Sequence, residues 1–142
     1  ALFQEFAAAN LPGWQPGPGE PLLFGEQLYH LPHDESRAFT AERLEGVRVL
    51  RPGLHLAEVK KGRIEPAHAL ALAARREDAA RVYDLEPEAA LTAAYLRGEA
   101  LPAEGRADGW TLVTVGGYPL GWGKISGGLL KNHYPKGLRQ LK

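Results

Sequence analysis

Hydrophobic residues recur along this chain with two different periods. Leu2, Phe3, Phe6 and Ala9 fall near helical spacing, which predicts a short amphipathic helix over residues 2–10. Leu11-Pro12-Gly13 ends it, because neither Pro nor Gly continues a helix well. Residues 13–21 are loop by composition. Leu22 to Leu31 reads as two short strands around a turn at Gly25-Glu26. Residues 32–45 are polar and acidic, with Asp34, Glu35, Glu42 and Glu45, and read as a loop with a helical turn. Apolar positions alternate over Val47–Arg51 and, past the Pro52-Gly53 break, over Leu54–Lys60. Alternation predicts half-buried strands, with Arg48, His55 and Lys60 or their neighbours pointing outward.

The helical period returns in small apolar residues after Pro66, a residue suited to a first helical position, and runs to Ala74. His68 lies in this stretch and reads as a packed or capping residue. Arg75 to Asp84 is a charged connector leading into Val82-Tyr83. Pro87 opens a longer helix, with Ala89, Ala90, Ala93, Ala94 and Leu96 on one broad face and Gly98 as the stop. Residues 99–109 read as loop. From Trp110 the period changes to two. Trp110–Val115 is a strand, Gly116-Gly117 a tight turn, and Tyr118–Lys124 the returning strand. Gly121 and Gly123 flank Trp122 and predict a bulge or a close backbone approach. Ser126-Gly127-Gly128 makes another turn into a last short strand at Leu129-Leu130. Strands so closely spaced around Gly turns predict a small, strongly curved β barrel carrying short helices, in the α+β class. Trp122 reads as core or as a stacking ring, and Tyr118 is undecided.

Composition narrows the function classes. The 142 residues suffice for one ordinary domain or two small ones, and 44% hydrophobic with 24% charged residues is a globular composition. No apolar run reaches the length of a membrane-spanning helix and no basic-apolar leader is seen, so a cytoplasmic location away from membranes is expected. Cys is absent, which excludes disulfides, thiolate metal sites and a Cys nucleophile. Met is absent too, so Ala1 is not expected to be the natural start. The net charge is zero, yet no Asp or Glu follows Gly109 while Lys124, Lys131, Lys136, Arg139 and Lys142 do. Such asymmetry points to a basic face. Aromatic rings interleaved with cations suit RNA: cations neutralise phosphates, and rings meet unpaired bases. A second cationic segment, Arg48, Arg51, Lys60, Lys61 and Arg63 against Glu58, reads either as part of that surface or as edge-strand charge that discourages sheet pairing.

Catalytic motifs are missing. Gly121-Trp122-Gly123 starts like a dinucleotide fingerprint but sits inside a hairpin with no helix after it. The histidines at 30, 33, 55, 68 and 133 do not pair at metal spacing on a predicted helix. His30 and His33 with Asp34 are the one combination able to share a metal, in a Pro-flanked acidic loop. Ser36 and Ser126 lack a nucleophile-elbow context. The expectation is no catalytic residue, no metal and no cofactor within the chain.

Longer blocks carry a family resemblance. Gly117-Tyr-Pro-Leu-Gly-Trp-Gly-Lys124 and Leu130-Lys-Asn-His-Tyr-Pro-Lys-Gly-Leu-Arg139 closely resemble the C-terminal end of RsmF-type ribosomal RNA cytosine methyltransferases, in the Nop/Sun group. Phe3–Phe6, Phe24–Tyr29, Val49–Leu56, Pro66–Leu72 and Tyr95–Glu99 resemble the same family in the same order. The resemblance implies an accessory region made of two modules: a first C-terminal (linker) module over residues 1–74, a small α/β unit, and a PUA-like RNA-binding barrel over residues 75–142 packed on it. It implies that S-adenosylmethionine and the catalytic cysteines belong to a separate domain of the parent chain. The implied partners are small-subunit ribosomal RNA and that catalytic domain. By position and chemistry the RNA-binding candidates are Lys124, Lys131, His133, Tyr134, Lys136 and Arg139, with Arg51, His55, Lys60, Lys61 and Arg63 as a second patch. The alternative is a protein-interaction domain that docks on the catalytic domain or the ribosome without touching RNA.

Overall fold

The structure, a computed structural model, describes residues 2–32 and 53–140. Helix α1 spans Leu2–Asn10. Four strands follow: β1 (Gly19–Phe24), β2 (Gln27–Pro32), β3 (Leu54–Lys60) and β4 (Arg63–Pro66), an antiparallel sheet in sequential order. Pro32, expected to open a loop, instead ends β2 opposite Gly19, while the rest of that loop, residues 33–45, and the predicted strand at 47–51 lie outside the described residues. Between β2 and β3 the register slips: Leu28 pairs with Ala57, but Tyr29 pairs with His55. Leu56 is the extra residue, and both Leu56 and Ala57 are buried.

Helix α2 covers His68–Ala73, two residues later than the sequence suggested. Pro66 is not its first residue: it still pairs with Ala57 at the end of β4, and Ala67 takes the extended capping position. Pro is tolerated there because β4 is an edge strand. Helix α3 likewise spans Ala90–Arg97 rather than starting at Pro87, since Glu88 adopts a positive φ of 66° and Ala89 is still extended. Gly98 ends α3 in the left-handed conformation, as its position predicts.

The second half forms a five-stranded, curled half-barrel with a few short helices. Its strands are β5 (Val82–Leu85), β6 (Leu101–Pro102), β7 (Gly109–Val115), β8 (Tyr118–Ser126) and β9 (Leu129–Asn132), ordered β5-β7-β8-β9-β6. The hairpins at Gly116-Gly117 and Gly127-Gly128 stand where predicted. Strand β5, read from sequence as the end of a connector, pairs parallel with β7 from Val82↔Leu112 to Leu85↔Val115. β6 pairs with β9 inside a segment read as loop.

Gly121 fulfils the expected close approach. A Cβ there would strike the Tyr95 hydroxyl, which donates to the Trp122 carbonyl at 2.8 Å. The adjoining bulge leaves Leu120 without a partner, between Val113↔Gly121 and Thr114↔Pro119. It bends the longest strand across the half-barrel.

Two apolar cores result. One lies inside the half-barrel, where Tyr95, Leu101, Val113, Ile125 and Leu130 meet. The other joins the two sheets: Phe6, Leu56, Ala57, Leu70 and Ala71 pack on Trp110, Leu112 and Trp122. Trp122 is 1% exposed, and its Nε1 donates to the Ala67 carbonyl at 2.9 Å. It is core, whereas Tyr118 at the hairpin tip is 78% exposed.

Candidate nucleic-acid interface

Strand pairing aligns one row across the half-barrel: Trp110 on β7 faces Lys124 on β8, which faces Lys131 on β9. Cross-strand partners share a face, and alternation puts Leu112 and Trp122 on that same face. Leu112 and Trp122 lie under the first sheet's helices and core. Lys124 and Lys131 come out beyond that cover and are exposed. The row therefore lies at the rim of the junction between the two sheets.

Lys124 and Lys131 are like charges directly opposite each other, an arrangement that destabilises a sheet unless something compensates. Among the described residues the ion pairs are Lys60–Glu58, Arg75–Asp78 and Arg97–Glu99, and neither lysine takes part. Lys124 Nζ instead lies 5.2 Å from the Trp110 ring centroid, a cation–π contact. The His133 ring stands 4.6 Å from the same indole. Burial pushes the His133 imidazole below its ordinary 6.5. Glu65 opposes that shift, and Lys131, Lys124 and Arg139 add to it. An anion at this row would relieve the repulsion among these cations.

The other second-half candidates are distributed differently. Lys136 is exposed on a short 3-10 turn, Lys136–Leu138, further along the chain. Tyr134 is not a free stacking ring: it packs between His68 at 5.6 Å and Tyr95 at 5.3 Å. Arg139 acts as a strap. Its side chain lies against Gly98, and its Nε donates to the Tyr134 carbonyl at 3.0 Å. Lys124, Lys131 and His133 thus come together, while Tyr134 and Arg139 are engaged in holding the C-terminal turn. Trp110, the floor of the row, and Glu65, whose charge acts on His133, were not among the sequence candidates. Only strand register places Trp110 there.

The second patch lies on the first sheet. Arg51 is outside the described residues. His55 stacks on Tyr29 at 4.8 Å, and its Nε2 lies 2.7 Å from Gln27 Oε1. Burial lowers its pKa, against a backbone hydrogen bond at Ala57 and the charge of Glu58. Lys60 is 3.7 Å from Glu58, Lys61 occupies the β3–β4 turn, and Arg63 pairs across from Lys60. No group of three His, Asp or Glu suited to a metal occurs among the described residues; His33 and Asp34 lie outside them. No helix among the described residues is long and apolar enough to cross a membrane.

Two family models match in tandem. Residues 5–73 match the RsmF rRNA methyltransferase first C-terminal domain, and residues 82–140 match the methyltransferase RsmF PUA domain. Between them they take in both sheets and all three helices named above, apart from the first three residues of α1. The PUA match gives the chain an RNA-binding accessory character, and the pair places it within an rRNA methyltransferase. With these two domains in this order, the chain belongs to the RsmF methyltransferase family and corresponds to its C-terminal region.

Proposed function

We propose that this chain is the non-catalytic RNA-binding part of a ribosomal RNA cytosine methyltransferase. It holds a folded segment of small-subunit ribosomal RNA so that a separate domain of the parent, carrying S-adenosylmethionine, reaches its target. The observation that carries this reading is the opposed Lys124–Lys131 pair, which has no ion-pair partner among the described residues, set beside His133 over the Trp110 ring. Two facing ammonium groups bind a phosphate, and the adjoining imidazole gains a proton as the phosphate approaches. The boundary proposed between the modules falls at residues 74–75, between α2 and β5.

The test is a titration with a small-subunit ribosomal RNA hairpin and an unrelated hairpin, at two salt concentrations, followed by NMR amide shifts. Shifts are expected at residues 122–133 and around Lys136. Lys124→Gln with Lys131→Gln should weaken binding and reduce the slope of log K against log salt by about 0.7–0.9 for each phosphate no longer neutralised. Unchanged affinity and slope would remove this face from RNA binding.

A second reading, docking on the catalytic domain without RNA, has one observation of its own. A groove of about 860 Å³ between α1 and the first sheet is lined by apolar side chains that include Leu2, Leu23 and Val59. In that reading the titration gives no shifts with either RNA, and shifts near the groove appear on adding the methyltransferase domain.

A further inference from the structure

Strand parity separates the two faces of the first sheet. One face, with Leu23, Leu28, Val59 and Ile64, borders the groove beside α1. The opposite face carries rings in adjacent strands. Tyr29 pairs with Leu22 and His55, and Phe24 pairs with Gln27, two residues before Tyr29. Phe24 and Tyr29 meet edge to face at 6.1 Å, and Tyr29 lies nearly parallel to His55 at 4.8 Å, with 29° between the rings. Phe24 is 54% exposed, and Tyr29 and His55 are half-buried. The outward face of an antiparallel sheet is usually polar, so three linked rings there need a physical reason.

The cations on the same sheet indicate the occupant. Beyond the bulge, Glu58 pairs with Gln27 and Lys60 pairs with Arg63, so the face runs from aromatic row to cationic hairpin. Glu58 and its cross-strand partner Glu65 lie between them on this face, and Lys60 meets Glu58 at 3.7 Å. Lys61, in the turn with φ 49°, and Arg63 are exposed. Flat rings beside a cationic turn complement an unpaired base with its phosphate, since every base offers a π face and the backbone supplies charge. Along its length a double helix keeps its bases stacked inside and presents no such face.

We propose that this face of the first domain is a stacking site for unpaired RNA bases, with Phe24, Tyr29 and His55 against the bases and Lys61 and Arg63 at the phosphates. It deepens the RNA-binding reading above and rests on it. The RNA would then be gripped twice, at the lysine row of the half-barrel and as a single strand on the first sheet. His55, held by Gln27, keeps its ring in the plane that stacks on Tyr29.

The test uses the whole chain with two probes, a single-stranded hexauridylate and a blunt RNA duplex. Amide and aromatic shifts at Phe24, Tyr29 and His55 are expected with hexauridylate and not with the duplex. Phe24→Leu with Tyr29→Leu keeps apolar bulk but removes the flat rings, and should weaken hexauridylate binding roughly 5- to 150-fold. Lys124→Gln with Lys131→Gln should leave the shifts at 24, 29 and 55 in place. Absence of those shifts in the wild-type protein overturns the proposal even if the ring variant fails to fold. So does unchanged hexauridylate affinity in a folded ring variant, or a response of these residues to the methyltransferase domain alone. Shifts at 124, 131 and 133 without shifts at 24, 29 and 55 would leave the lysine row standing and remove only the stacking site.

Discussion

Replacing Trp122 by Phe tests whether the two sheets are one cooperative structure. The indole belongs to β8, yet it donates to Ala67, which precedes α2, and meets Phe6 of α1 edge-on at 6.4 Å. Removing Nε1–H does not orphan the Ala67 carbonyl, because the Leu70 amide still donates to it at 3.1 Å. The missing hydrogen bond is therefore worth about 0.5–1.5 kcal/mol, the net value for a replaceable bond. The smaller ring removes roughly 40 Å² of buried apolar surface, about 1 kcal/mol, with a further cavity cost where the site cannot collapse. The expected loss is about 2–3 kcal/mol, and Trp122→Ala should reach about 3–5 kcal/mol or more. The assay is urea unfolding followed by tryptophan fluorescence and far-ultraviolet circular dichroism. Trp14 remains beside α1, where it meets Phe3 at 6.5 Å, and Trp110 remains on β7, so each half keeps its own reporter. Both probes should shift together. A loss below about 0.5 kcal/mol, or two separated transitions in the wild-type protein, would refute the shared core.

Gly121→Ala should destabilise by about 1–3 kcal/mol through overpacking against the Tyr95 hydroxyl. Tyr95→Phe clears that obstruction, so the double variant should be less destabilised than the sum of the two; additivity in a double-mutant cycle would show that Gly121 is not there for the approach. His55, His68 and His133 are all held below the ordinary 6.5 by burial. The unfolded chain therefore takes up protons first as pH falls, so stability is full above about pH 6.5 and declines below it. Urea midpoints from pH 7.5 to 5 should show this, with a shallower decline in His68→Gln; a flat profile over that window would contradict the burial of these rings. RNA affinity should change the opposite way, tightening as pH falls towards the lowered pKa of the free His133 imidazole, because a bound phosphate favours its charged form. Isothermal titration in two buffers of different ionisation enthalpy would read the coupled proton uptake, and its absence would separate His133 from the binding event.

Much of this protein is determined by local sequence. Gly25, Gly116, Gly117, Gly127 and Gly128 all adopt the positive φ that their tight turns require, so the hairpins are visible residue by residue. Gly98 marks the end of α3 for the same reason. The cation-rich segment after Gly109, and the family blocks at both ends, can also be read without coordinates. Long-range register cannot. β5 reaches β7 across 30 residues of sequence, and four residues of alternation carry no mark of a parallel partner. Composition could not separate Trp122 as core from Tyr118 as surface, because both are rings on one Gly-rich hairpin; pairing and the bulge decide which way each side chain points. The cations are equally unlabelled in sequence. Lys131 and Arg139 carry the same charge eight residues apart, but the fold sets one opposite Lys124 at the rim and lays the other along Gly98. Charge is a property of the residue, and its availability to a partner is decided by what the rest of the chain packs against it.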